Sequence, residues 1–196
     1  ERLFEEGKAQ EYKSDKFKAT FIKDLKQDKK IFQEIQNLWK KIERDPKLDK
    51  LIEILAQNEI LKKEHLIIFT ESKETARYIF SELNEVYAGK VICFDGSSNT
   101  AEKQDVINNF DANAQNKEDE FRILITTEVL AEGVNLHRSN VVINYDIPWN
   151  PTKLMQRIGR INRIDTAFEK IHTFNFFPSV QVDSEISLKN AAEAKI

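Results

Sequence analysis

The hydrophobic pattern of the chain changes period once. Up to residue 63, apolar positions recur at helical spacing. Phe17, Phe21 and Leu25 come every four residues, followed by Ile31, Ile35, Leu38 and Ile42. Asp45-Pro46 reads as a helix start, with Asp45 as N-cap and Pro46 in the first turn. Leu48, Leu51, Ile52 and Leu55 then form one stripe. From His65 onward, short β-rich runs alternate with helical stretches. Strands are expected at 66–70, 90–94, 122–126, 141–145 and 171–177, with helices at 73–87, 100–110 and 151–162. Such alternation implies right-handed crossovers and a parallel sheet covered by helices on both faces. The unbroken apolar runs LIIF and VVIN fit strands buried on both sides. The expected organisation is a helical N-terminal segment at 1–63, an α/β domain at 64–180 and a polar tail at 181–196.

Composition narrows the class. The chain has 196 residues, 40% of them hydrophobic and 32% charged, which suits a globular domain and not a disordered one. The net charge is −3, divided unevenly: 16 Lys/Arg against 13 Asp/Glu in residues 1–63, and 14 against 20 in the rest. Any nucleic-acid surface must therefore be a local patch. A single cysteine, Cys93, excludes a disulfide framework and a cysteine-based metal site. It points to a reducing compartment, cytoplasmic or, in a eukaryote, nuclear. No apolar run reaches the length of a membrane span, so no membrane partner is expected. The start at Glu1 without a methionine suggests a piece of a longer protein.

The segment QRIGRINR, residues 156–163, carries the most chemistry. On a helix, Gln156, Arg160 and Arg163 share one face and Arg157 lies one position round, while Ile158 and Ile161 can face a core. Asn150 and Pro151 supply a cap and first turn. Arginine suits a multiply charged phosphate because its planar fork donates two bonds and stays charged. By residue type alone, the same face is equally a solvated basic surface.

The segment resembles motif VI of superfamily 2 helicases, Q/H-R-x-G-R-x-x-R. The resemblance implies that Arg160 and Arg163 act as arginine fingers on the γ-phosphate of ATP held by another motor domain. It implies that Gln156 and Arg157 lie at the nucleotide. ILITTEVLAEGVNL, residues 123–136, resembles motif V, with Thr126 and Thr127 meeting a nucleic-acid phosphate and Gly133 and Asn135 near the nucleotide. LIIFTES, residues 66–72, resembles motif IV, whose following loop places Thr70 and Ser72 on the strand backbone. FDGSS, residues 94–98, resembles the next segment, with Gly96 and Ser97 at a phosphate. The family often has an arginine downstream, where this chain offers only Lys103. VVINYDIPWNP, residues 141–151, is similar to Swi/Snf-type translocases, with Trp149 read as a packing residue.

These motifs follow in family order. The resemblance implies a RecA-like domain, the second motor of an ATP-dependent helicase or double-strand translocase. Its partners would be DNA, with RNA possible, and an N-terminal RecA-like domain of the same protein. The chain has no G-x-x-x-x-G-K-[ST] phosphate loop and no acidic magnesium box after an apolar strand, so ATP and Mg would be held mainly by that other domain. Alone, the chain is expected to be inactive. The alternative is a RecA-like binding module that kept the fold and lost catalysis. His65, His137 and His172 show no ligand spacing, and no metal site is expected.

Overall fold

The computed structural model describes residues 7, 12–131, 134–163 and 166–179. The expected polar tail at 181–196 lies outside the described residues. The chain divides into two compact units, Glu1–Pro46 and Lys47–Ile196.

In the first unit, a 3-10 turn at Ser14–Lys16 precedes helix α1 (Phe21–Trp39). None of the residues of α1 is buried. Leu25, Phe32, Ile35 and Trp39 are all exposed. The Phe17 and Phe21 rings stack at 4.5 Å, a local contact beside the apolar stripe.

The second unit opens with α2 (Pro46–Gln57) and α3 (Glu59–Lys63). Pro46 starts α2 as its preset φ favours, and Asn58 caps α3 by accepting from the Ile60 and Leu61 amides at 2.9 and 3.2 Å. Leu48, Leu51, Leu55 and Leu61 are buried in one core with the sheet. The stripe of α2 and α3, read from the sequence as part of the segment up to residue 63, is covered by the α/β unit itself.

Five strands follow, each four residues long: β1 (Leu66–Phe69), β2 (Val91–Phe94), β3 (Ile123–Thr126), β4 (Val141–Asn144) and β5 (His172–Asn175). They form one sheet in the order β2-β3-β1-β4-β5, with every neighbouring pair parallel. The crossovers run through α4 (Lys73–Val86), α5 (Thr100–Phe110), a 3-10 turn at Glu128–Ala131, and α6 (Pro151–Ile161). The step from β1 to β2 moves toward one edge of the sheet and the later steps move toward the other. Right-handed crossovers then put α4 on one face and α5 and α6 on the opposite one.

The two cores show this division. Alternate strand residues Leu66, Ile68, Ile123 and Ile125 pack with Ala76, Ile79 and Leu83 of α4 and with α2 and α3. Ile67, Phe69, Leu124 and Val142 pack with Val106 and Phe110 of α5 and Ile161 of α6. The expected RecA-like α/β fold, a parallel sheet with helices on both faces, is the fold observed. Because all strands point one way, their following loops leave from a single edge. The chain reverses direction beside β1 at that edge, where open α/β sheets form their ligand crevices.

Candidate functional site at the carboxyl edge of the sheet

Parallel register lines up Phe94, Thr126, Phe69, Asn144 and Asn175 as the last residues of their strands. Helix α6 is held over this row. Its start is set by Asn150, whose side chain accepts from the Thr152 amide at 3.0 Å, with Pro151 in the first turn. The buried stripe is then Pro151, Leu154, Arg157 and Ile161. Spacings of three and four residues put Arg157 in the core stripe.

The Arg157 side chain is 0% exposed. Its Nε donates to Glu128 Oε1 at 2.7 Å. Its Nη1 donates to Asn144 Oδ1 at 2.9 Å and to the Asp146 carbonyl at 3.0 Å. Its Nη2 donates to Glu71 Oε1 at 2.6 Å and Glu128 Oε1 at 2.5 Å. The guanidinium carbon lies 5.1 Å from the Phe69 ring centroid. All five N–H donors of the guanidinium are engaged by protein acceptors. One residue thus ties together the loops that follow β1, β3 and β4. Arg157, expected at the nucleotide, has no N–H donor left to offer in this conformation.

Asp146 extends the same knot. It accepts from Lys47 Nζ at 2.7 Å, Thr70 Oγ1 at 2.5 Å and the Glu71 amide at 3.2 Å. Burial pushes its carboxyl up, but the bonds from Lys47 and Thr70, the Lys47 charge and the Glu71 amide together hold it below the usual carboxylate range. Lys153 adds an ion pair to Glu71 at 3.3 Å.

This knot decides where the expected strand-binding residues go. Thr70 is fully buried with its hydroxyl on Asp146. Thr126 is fully buried and donates to the Phe94 carbonyl at 2.8 Å. Thr127 is buried beside it. The Ser72 hydroxyl accepts from the Thr75 amide at 3.0 Å and caps α4. In this conformation the hydroxyls of Thr70 and Thr126, both expected to meet a strand, are turned inward. Both sit where the buried strand pattern runs on by one position, and both satisfy buried acceptors instead. Gly96 and Ser97 are exposed at the end of β2, as expected of surface residues. A Cβ on Gly96 would meet only Val129 Cγ2, at 3.5 Å, so the free chain does not itself require glycine there.

The far end of α6 behaves differently. Gln156 and Arg163 are exposed and Arg160 is partly so. Among the described residues, none of the three side chains has a hydrogen-bond or ion-pair partner. The helix ends at Ile161, and Arg163 stands two residues beyond it, so the single helical face expected for Gln156, Arg160 and Arg163 stops before Arg163. The Leu136 amide donates to the Arg160 carbonyl at 3.0 Å, which ties the segment of half-buried Asn135 to this end of α6. Gly133 lies outside the described residues. Two guanidiniums with no acid beside them among the described residues have the donor geometry that a polyphosphate group calls for. Trp149, read as a packing residue, is 67% exposed.

Sequence reasoning passed over Arg77, Glu71, Glu128 and Asp146, whose charges look like ordinary surface polarity. Arg77 of α4 donates through Nε to Asp95 Oδ2 at 2.7 Å and through Nη2 to the Ser97 hydroxyl. It stands at the rim of a pocket of about 360 Å³ lined by Phe80, Cys93, Ser98 and Phe121. Burial pushes the Cys93 thiol up to about 11, so it stays protonated at neutral pH and is not a reactive thiolate.

The family model "Helicase conserved C-terminal domain" matches residues 46–165. Its start coincides with the first residue of α2. A Bacillus subtilis (strain 168) protein, the uncharacterized ATP-dependent helicase YqhH, is 34% identical over 132 residues, covering 65% of this chain and 22% of that protein. The chain thus spans about a fifth of that relative's length. Among solved structures, the C-terminal domain of the DEAD-box protein Dbp5 is 25% identical with a TM-score of 0.55, covering 74% of this chain and 77% of that one. The C-terminal part of the Fun30 ATPase domain aligns with a TM-score of 0.62 at 21% identity, over 76% of this chain and 46% of that one, and so shares the fold. With the motif order, the parallel sheet and the carboxyl-edge crevice already in place, the chain belongs to the helicase conserved C-terminal domain family of superfamily 2 helicases.

Proposed function

We propose that this domain completes an ATPase site on an N-terminal motor domain and couples hydrolysis to movement along nucleic acid, with Arg160 and Arg163 as arginine fingers. The observation that carries this reading is the contrast within α6: Arg157 is fully engaged, whereas Arg160 and Arg163, three and six positions later, have no protein partner among the described residues. A cation with exposed surface and no acid beside it among the described residues is available to an anion that arrives from elsewhere. ATP bound with Mg on the other domain supplies such an anion. Arg160 and Arg163 would then donate to the γ-phosphate oxygens where charge develops during transfer. Gln156 and Asn135 border that position and would sense the nucleotide. Closure would draw the loops after β1, β2 and β3 along the strand backbone, and reopening would release them. In isolation the 196-residue chain hydrolyses no ATP on this reading, because it lacks a phosphate loop.

Exposed Trp149 in the PWNP segment favours the Swi/Snf-like, double-strand-translocating branch over strand separation, because an exposed indole beside α6 is available to a duplex groove. The helices before residue 64 would belong to the connection between the motors, with the exposed stripe of α1 docking on the absent one. The test is ATP hydrolysis by the full-length protein with single- and double-stranded DNA and RNA. Stimulation by duplex DNA supports the translocase reading. Hydrolysis unaffected by loss of both arginines excludes the finger assignment.

A further inference from the structure

The turn after β2 resembles a phosphate-binding loop in sequence, yet nearly all of its backbone donors are engaged within it. The Ser97 amide donates to Asp95 Oδ1 at 2.7 Å and the Ser98 amide to the Asp95 carbonyl at 3.0 Å. The Asp95 amide donates to Ser98 Oγ at 3.0 Å, and the Asn99 amide to Glu102 Oε2 at 2.8 Å. The start of α5 is likewise closed, because Asn99 accepts from the Ala101 and Glu102 amides in a capping box. The loops after β1 and β3 have turned their hydroxyls inward. Beside this closed turn, the side chain of Arg77 reaches toward solvent. Its side chain is 60% exposed, while its anchor Asp95 is only 4% exposed.

We propose that Arg77, aimed by Asp95 and Ser97, is the phosphate contact for the nucleic-acid strand at the β2 end of the sheet. The inference rests on the nucleic-acid reading above and assigns that strand contact to a helix residue outside the motifs. Asp95 takes Nε and Ser97 takes one N–H of Nη2, so the fork is held in one orientation. Both N–H groups of Nη1 have no acceptor among the described residues. Asp95 is itself shared among Arg77, the Ser97 amide and the Ser97 hydroxyl, which spreads its charge over three donors. A phosphate approaching from solvent therefore meets the open side of a planar, permanently charged group beside the exposed Gly96. The arginine that the sequence lacks downstream of FDGSS is supplied from upstream, through α4.

The test is equilibrium binding of single-stranded and duplex oligonucleotides to the full-length protein across a salt series without nucleotide. It compares wild type with Arg77→Ala, Arg77→Lys and Lys103→Ala. Arg77→Ala should weaken binding about tenfold and lower the slope of log affinity against log salt by about 0.7–0.9, the signature of one lost phosphate contact. Arg77→Lys should keep the slope and lose only part of the affinity, whereas a merely structural tie to Asp95 would leave the slope untouched in every variant. Lys103→Ala should change neither. If wild type binds and Arg77→Ala binds equally with an equal slope, or if Lys103→Ala carries the slope instead, Arg77 is not the contact. If wild type neither binds strands nor shows strand-stimulated hydrolysis, the nucleic-acid reading fails together with this one.

Discussion

Two regions of the carboxyl edge use the same residue type in opposite ways. Around Arg157, five donors meet two glutamates, an asparagine and a backbone carbonyl, and the guanidinium is sealed from water. At the end of α6, Arg160 and Arg163 have no acceptor among the described residues. The difference comes from helical phase. Position 157 falls on the buried stripe with Leu154 and Ile161, so its charge must be matched in place or not be there at all. Position 160 falls outside that stripe and position 163 lies beyond the end of the helix, so neither side chain is drawn into the core. A fully engaged arginine and one without a partner among the described residues can therefore stand three residues apart in one helix, separable only by what surrounds them.

The sharpest way to break this comparison is to remove the free pair. In the full-length protein, Arg160→Ala or Arg163→Ala should slow ATP turnover by about 10³–10⁵, as for arginine fingers in phosphoryl transfer. Melting temperature should barely move, and strand binding without nucleotide should persist. Turnover kinetics beside a thermal melt decide it; a large loss of stability with intact turnover would reverse the roles assigned here.

Arg157→Ala should do the opposite. It leaves Glu128 without its cation and Glu71 with Lys153 alone, at a cost of about 3 kcal/mol, the lower end for a broken buried pair because both glutamates keep some access to water. Denaturant unfolding should show the loss, and adding Glu71→Gln and Glu128→Gln should recover part of it. If the triple variant is no more stable than the single one, the knot is not held by these charges.

Asp146 sharpens the picture through pH. Its folded-state carboxyl is held below the usual range, so its contribution is present above the unfolded value near ~3.9 and is lost as pH falls through the lower folded value. Asp146→Asn should cost about 2 kcal/mol at pH 7. The variant should also lose less stability than wild type on acidification below about pH 4. Parallel acid curves for the two proteins would show that Asp146 is not a stabilising carboxylate.

The smallest effect is expected at Thr126, whose buried hydroxyl donates to the Phe94 carbonyl. Thr126→Val should cost about 1 kcal/mol and leave strand affinity unchanged. A loss of affinity with unchanged stability would return Thr126 to the strand-binding set.

The sequence by itself determined the architecture. Strand runs such as LIIF and VVIN are apolar on both faces, and the α4 to α6 patterns between them have helical period and good caps at Ser72, Asn99 and Asn150. Each element could be read because its signal is local and repeats several times along a few residues. The motif order likewise pointed to the carboxyl edge of the sheet, and Gly96, Ser97, Gln156 and Arg163 are exposed. Tertiary structure alone decided which polar groups were available there. Thr70, Thr126 and Arg157 matched motif positions, yet each is used inside the fold, because Asp146, Phe94, Glu71 and Glu128 arrive from strands and loops distant in sequence. Arg77 carried no motif at all and became a candidate only when α4 brought it beside Asp95 and Ser97. A hydrogen-bonding group's function depends on what it already bonds, and those partners, up to 86 residues apart here, cannot be read from periodicity.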